Sequence, residues 1–229
     1  MAIFERKKKP PAVPPSAAPP PAVSPAEVAP VAGDPTGVMG SESRPAPVTI
    51  FPTEGDTVEH IADAYATHLP VLRELGRVVN PKTVVEFGAG PYSTRAFLDR
   101  GLFPALERLV SFESNEGWLR TLPEDARLQA FGAGESEMVG SMAKLADADL
   151  IFIDSATAAG RNAIIRAVAA SGFKGSVVVH DTENDIYHAA LGLFAHEARS
   201  ARWTPGTSVL RQGDLPALNW KKLAPVTIR

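Results

Sequence analysis

The sequence of 229 residues contains no cysteine. That excludes a disulfide framework, thiolate metal sites and thiol catalysis together. Neither sign of charge dominates, since 23 Lys and Arg stand against 26 Asp and Glu for a net −3. A dedicated nucleic-acid binder needs a clustered cationic surplus, so nucleic acid is not an expected partner. No apolar run approaches the roughly 18 residues of a membrane-spanning helix. Residues 1–10 carry charge but lack the apolar core of a secretion signal. The expectation is a soluble, cytoplasmic protein without a membrane partner. Aromatic residues are few, at 7%, yet 45% of the chain is hydrophobic, enough for one buried core.

Proline is abundant but unevenly spread: 12 of 21 fall within the first 50 residues. Residues 1–47 are rich in Pro and Ala with almost no aromatics, and cannot bury enough apolar surface to offset the entropy of ordering. They read as a disordered, extended tail and a candidate arm for docking a protein partner. Residues 48–229 read as the globular domain. Asp56-Thr-Val-Glu59 has the form of a capping box. Val58, Ile61, Tyr65, Leu69, Leu72, Leu75 and Val79 then recur at helical spacing, with Pro70 predicting a break or kink.

Short β-branched runs follow at residues 83–87, 108–112, 127–131, 150–153 and 176–180. They start roughly 20–27 residues apart, room for a strand and a crossover helix such as 161–170. Runs apolar on both faces imply a parallel sheet covered on each side. The predicted fold is α/β: a doubly wound, mostly parallel, Rossmann-like sheet of about seven strands flanked by helices. Residues 185–201 read as a helix carrying His188 and His196, and 202–211 and 217–229 as extended segments.

Ligands of such sheets bind beyond the carboxyl ends of the strands. After the first predicted strand stands Glu86-Phe-Gly88-Ala-Gly90-Pro-Tyr-Ser93. Gly88 and Gly90 permit a tight turn and close backbone approach. A dinucleotide fingerprint wants a third glycine where Ser93 stands, and Glu86 is the wrong charge beside a pyrophosphate. After the second strand, Glu113 is placed to accept both hydrogen bonds of a ribose diol, with Trp118 free to flank a base or to pack. Asp154 follows the fourth strand, and His180 and Asp181 the fifth. Carboxylates converging on one rim are costly unless something cationic sits there or some stay protonated, which points to a ligand. Strand alternation sends His180 and Asp181 to opposite faces; Asp181 is the favoured proton acceptor. Tyr65 and His68 read either as a lid or as packing residues.

At these residues the sequence resembles the class I S-adenosylmethionine (SAM)-dependent methyltransferases. Val84-Val-Glu-Phe-Gly-Ala-Gly90 is similar to the family's glycine motif, Phe112-Glu113 to its ribose-binding acid, Asp149-Leu-Ile-Phe-Ile-Asp154 to its fourth-strand motif, and Val179-His180-Asp181 to the end of its fifth. The last pair looks most like the branch acting on sugars and small hydroxylated metabolites. Tyr92 stands where the family often has glycine, and Asp154-Ser-Ala-Thr157 where that branch often has Asp-Gly-x-His. The resemblance implies SAM as cofactor, held by Glu86, Gly88, Gly90, Ser93, Glu113, Trp118 and Asp154. It implies a small-molecule acceptor, with Asp181, His180 and Asp154 as catalytic residues. Magnesium, through Asp154, Asp181 and Asn184, is possible but not favoured, because the adjacent Asp-Asn pair of the catechol-type enzymes is absent. A non-catalytic cofactor-binding or interaction module on the same fold stays open, and so does an NAD-dependent oxidoreductase.

Overall fold

The computed structural model describes residues 48–51, 61, 63–141 and 147–226. The predicted tail and the capping box at Asp56 lie outside the described residues. Those residues contain one sheet of eight strands: β1 (Val48–Phe51), β2 (Thr83–Phe87), β3 (Arg108–Glu113), β4 (Leu128–Gly132), β5 (Leu150–Ile153), β6 (Ser176–His180), β7 (His196–Ser200) and β8 (Thr207–Arg211). Their spatial order is β1-β7-β8-β6-β5-β2-β3-β4. Only β8 runs against its neighbours, pairing antiparallel with β6 and β7. The doubly wound, mostly parallel sheet is thus as predicted. No helix among the described residues is long and apolar enough to cross a membrane.

The helices are α1 (Leu69–Val78), α2 (Ser93–Leu98), α3 (Glu116–Leu119), α4 (Glu135–Gly140), α5 (Ala158–Ala170) and α6 (His188–Leu191). Alternation along the buried strands divides the core. Val84, Leu109, Leu150 and Phe152 pack with Leu72, Leu75 and Phe97 of α1 and α2. Val85, Phe87, Ile151 and Ile153 pack with Ile164, Ile165 and Val168 of α5 on the other face. Both faces of these strands are covered, as their largely apolar runs require.

Pro70 starts α1 rather than kinking it. It sits in the first turn, where its missing N–H has no helical partner to lose. A short 3₁₀ turn, Ala64–Ala66, precedes it.

The expected helix over 185–201 is a correction. A 3₁₀ turn (Asp185–Tyr187) and the single turn of α6 occupy its start, and His196 opens β7 instead of continuing a helix. Glu197 and Arg199 form a buried pair within the strand. Glu197 Oε1 accepts from Arg199 Nε at 3.1 Å, Arg199 Nη2 at 2.8 Å and Ser208 Oγ of β8 at 2.6 Å. Pairing with β8 overrides local preference. Beyond β8 the described residues of the expected extended segment 217–229 carry no strand; Leu218, Trp220 and Leu223 anchor them to the α1 side of the core.

Removing Glu197 strands Arg199 in a buried strand. Glu197→Ala is expected to cost about 3 kcal/mol of unfolding free energy in urea titration, whereas Arg211→Ala, at a more exposed position, costs less than about 1 kcal/mol.

Candidate functional site

The chain winds from β2 through β3 to β4 in one direction, then crosses back to place β5 and β6 on the other side of β2. Strand order reverses between β2 and β5, the place where open α/β sheets leave a crevice. A cleft of about 490 Å³ lies there, a size suited to a small-molecule ligand.

The turn after β2 forms its floor. Gly88 has φ +94°, and a Cβ on it would meet the Asp154 carbonyl oxygen at 2.3 Å. Its N–H and that of Ala89 both reach the Phe112 carbonyl, at 2.9 and 3.1 Å. A Cβ on Gly90 would come within 2.9 Å of the Trp118 ring. These two glycines therefore let the turn lie flat between β5 and α3. Ser93, at the start of α2, lines the same floor.

Glu113 ends β3 with 7% exposure, its Oε1 accepting the Asn115 N–H at 2.6 Å. Burial raises its carboxyl above the ordinary value, and the Asn115 N–H pulls it partly back. Trp118 stands beside it, its ring 5.7 Å from that of Tyr65 in an edge-on contact at the mouth of the cleft.

The opposite wall is built around Arg161 of α5, only 5% exposed. Its Nε and Nη2 donate to the Ser155 carbonyl at 3.1 and 2.8 Å. Nη2 also reaches Asp154 Oδ1 at 2.9 Å, and Nη1 reaches the His180 carbonyl at 3.0 Å and Asp181 Oδ2 at 2.5 Å. All five N–H bonds of the guanidinium are used. One side chain thus ties the end of β5 to the end of β6.

Above it, His180 Nδ1 lies 3.1 Å from Asp154 Oδ2 and 3.5 Å from Asp181 Oδ1. His180 Nε2 lies 2.8 Å from Thr67 Oγ1, which is also 2.8 Å from the Pro205 carbonyl oxygen. His68 packs against this assembly, its ring 4.8 Å from that of His180 and 5.0 Å from Phe152. Both His68 nitrogens are buried without a hydrogen-bond partner. Burial, reinforced by His180, pushes His68 down to about 3, so its ring is neutral at pH 7.

No protein-family model matches the sequence, and no curated protein matches it. Among solved structures, the chain is similar to a Klebsiella pneumoniae protein provisionally assigned as an O-methyltransferase, with TM-score 0.51 and 17% identity over 67% of this chain and 84% of that one. It is similar also to human methyltransferase-like protein 13 in complex with SAH, with TM-score 0.50 and 13% identity over 69% and 86% of the two chains. This chain has the class I methyltransferase fold.

Within that methyltransferase fold, the cleft brings together Gly88, Gly90, Ser93, Glu113, Trp118, Asp154, His180 and Asp181 of the sequence-derived set, along with Tyr65 and His68. Glu86 is placed elsewhere. It is fully buried beneath the floor, where its Oε2 accepts from Thr94 Oγ1 at 2.8 Å and Ser111 Oγ at 2.5 Å. Burial pushes it up to about 7, against the pull of those hydroxyls. Asn184 caps the 3₁₀ turn after β6 by accepting the Ile186 N–H at 3.2 Å, which turns it to a structural task.

Two expectations need correction. His180 and Asp181 do not diverge to opposite faces, because β6 ends at His180 and Asp181 has φ +59°, which breaks the alternation and sets both side chains in one cleft. Nor does the acidity of the rim require a cationic ligand by itself: Arg161 already lies between Asp154 and Asp181. Its place in a helix four residues past Thr157 gave no sign of that role; a basic residue in the first turn after an acidic strand end was the available hint.

Two measurements test these assignments. Arg161→Met leaves Asp154 and Asp181 side by side without their cation and is expected to lower unfolding free energy by about 3 kcal/mol at pH 7, with Arg161→Lys falling between. Glu86 and His68 act oppositely with pH. Glu86, at about 7 folded against an ordinary 4.5, contributes stability present below pH 4.5 and lost as pH rises to 7. His68, at about 3 folded against 6.5, contributes stability lost as pH falls from 6.5 towards 3. Between pH 4.5 and 6.5 the two slopes, each up to about 1.4 kcal/mol per pH unit, offset one another. In Glu86→Gln the His68 slope remains, so urea titrations of the variant should show stability climbing across that window relative to the wild type. Parallel curves refute the buried-acid reading.

Proposed function

We propose that this protein is a SAM-dependent methyltransferase acting on a hydroxyl oxygen of a sugar or another small hydroxylated metabolite. The observation that carries the reading is the juxtaposition of Glu113 with the flat glycine turn. A nearly buried carboxylate at the end of β3 faces a floor whose Gly88 and Gly90 admit close approach, which suits a ribose diol lying across the turn. Ser93 in place of a third glycine and the acid-rich far wall disfavour a diphosphate. The solved likeness to a protein in complex with SAH supports the same reading at the level of fold. The domain is residues 48–229, and the Pro-rich residues 1–47 serve as an arm towards a protein partner.

In this reading Glu113 holds the ribose, Trp118 flanks the base, and Gly88, Gly90 and Ser93 shape the floor. SAM supplies a methyl group on a sulfonium, already activated for displacement. The chain's task is then to align the acceptor, exclude water and receive one proton. Asp181, which lines the cleft, is the proton acceptor: Oδ2 is taken by Arg161, while Oδ1 lies 3.5 Å from His180 Nδ1. Asp154 and His180 position the acceptor against it. Tyr65 and Trp118 narrow the mouth.

Calorimetric titration with SAM and, separately, with NAD tests the cofactor. SAM is expected to bind with one site and NAD not to bind; the reverse refutes the reading. Glu113→Ala should weaken SAM at least about tenfold, the loss of a charge-assisted pair of hydrogen bonds. Asp181→Ala should lower turnover while leaving SAM affinity within about threefold, and an unchanged methylation rate removes Asp181 from the mechanism.

A further inference from the structure

Proton bookkeeping around His180 singles out the far wall of the cleft. Thr67 Oγ1 has one proton and two carbonyl oxygens in reach, those of Pro205 at 2.8 Å and Ala64 at 3.1 Å. If Thr67 gives that proton to His180 Nε2, Nδ1 carries the ring hydrogen and donates to Asp154 Oδ2. If it gives it to either carbonyl, Thr67 is left as an acceptor and His180 Nε2 carries the hydrogen and donates. In this second arrangement Nδ1 of a neutral His180 presents a lone pair to two carboxylate oxygens, Asp154 Oδ2 and Asp181 Oδ1. Acceptors facing one another need a cation between them. His68 supplies a second, independent sign. It is 2% exposed, neither ring nitrogen has a partner, and it lines this wall of the cleft. As the residue preceding α1, it makes no side-chain cap that would explain its burial.

One nitrogen of His68, one of His180 and one carboxylate oxygen of Asp154 lie within 4.8 Å of one another. We propose that His68, His180 and Asp154 form a binding site for a divalent transition-metal ion. Two imidazoles and one carboxylate select zinc, cobalt, iron or manganese rather than magnesium or calcium, which prefer oxygen alone. The 3.1 Å between His180 Nδ1 and Asp154 Oδ2 is close to the roughly 3.3 Å that two ligands of a tetrahedral zinc keep. Nothing bonds the His68 ring against turning inward to complete the set. The supporting shell is in place: Thr67 holds His180 Nε2, and Arg161 holds the other oxygen of Asp154. Three protein ligands leave a coordination position open to the cleft, where a water or an acceptor oxygen binds.

The proposal does not depend on methyl transfer, and its test uses no methylation assay. Full-length protein stripped with a chelator is titrated with Co²⁺. One equivalent should bind and give the visible d–d absorption of a four- or five-coordinate ion. One equivalent of Zn²⁺ should bleach it, and a thousandfold excess of Mg²⁺ should not. His68→Phe keeps the ring packing against Phe152 and removes both nitrogens; it should weaken Co²⁺ at least about a hundredfold. His196→Ala, on the exposed end of β7, should change nothing. A wild type without the band, a His68→Phe protein that binds as the wild type does, or a site abolished by His196→Ala overturns the proposal. Should His68→Phe fail to fold, proton NMR of the wild type decides: Co²⁺ must broaden the ring resonances of His68 and His180 before those of His188 and His196.

Discussion

The guanidinium of Arg161 is the interaction on which the rest of the cleft depends. Parallel strands ending side by side point their last carbonyls and first loop residues at the same small volume. At β5 and β6 those residues are Asp154, Ser155, His180 and Asp181, a group that would repel itself in a low-dielectric wall. A planar cation with five fixed donors can answer two carboxylates and two carbonyls at once, which a lysine with three donors on a single atom cannot. Because α5 rises directly from the β5 loop, the helix that covers one face of the sheet also delivers that cation to the rim. Core packing of Ile164, Ile165 and Val168 therefore sets the height at which the rim acids are held.

The parallel core was legible because it announces itself with period and composition. Strands β2, β5 and β6 begin and end where their β-branched runs do, since burial on both faces keeps their central residues mostly apolar. Strand β8 fell within the expected extended segment 202–211, whereas β7 was hidden by its charged residues. Their charges pair inward, Glu197 with Arg199 and Ser208, and a charged strand carries the same letters as a solvated helix. Only the partner strand distinguishes the two, and a partner is a non-local fact.

The candidate site divides along the same line. Residues that act through the position of their backbone, such as Gly88, Gly90 and Glu113, stand at strand ends and could be placed by counting. Residues that act through long side chains or loop geometry could not. Arg161 reaches the rim from a helix, Asp181 enters the cleft through a left-handed backbone, and Glu86 turns away from it into the space between Thr94 and Ser111. Tyr65 and His68 precede the whole alternation, so no strand-end argument speaks to them.

The bonds of Thr67 bear on how the cleft comes into being. The glycine turn, Glu113 and Asp154 lie at the ends of strands β2, β3 and β5, of which β2 pairs with the other two. The wall opposite them closes only when Thr67 meets His180 and Pro205, across separations of 113 and 138 residues. Loop-closure entropy makes such contacts late and comparatively weak. That wall is thus a seam joining two distant parts of the polypeptide.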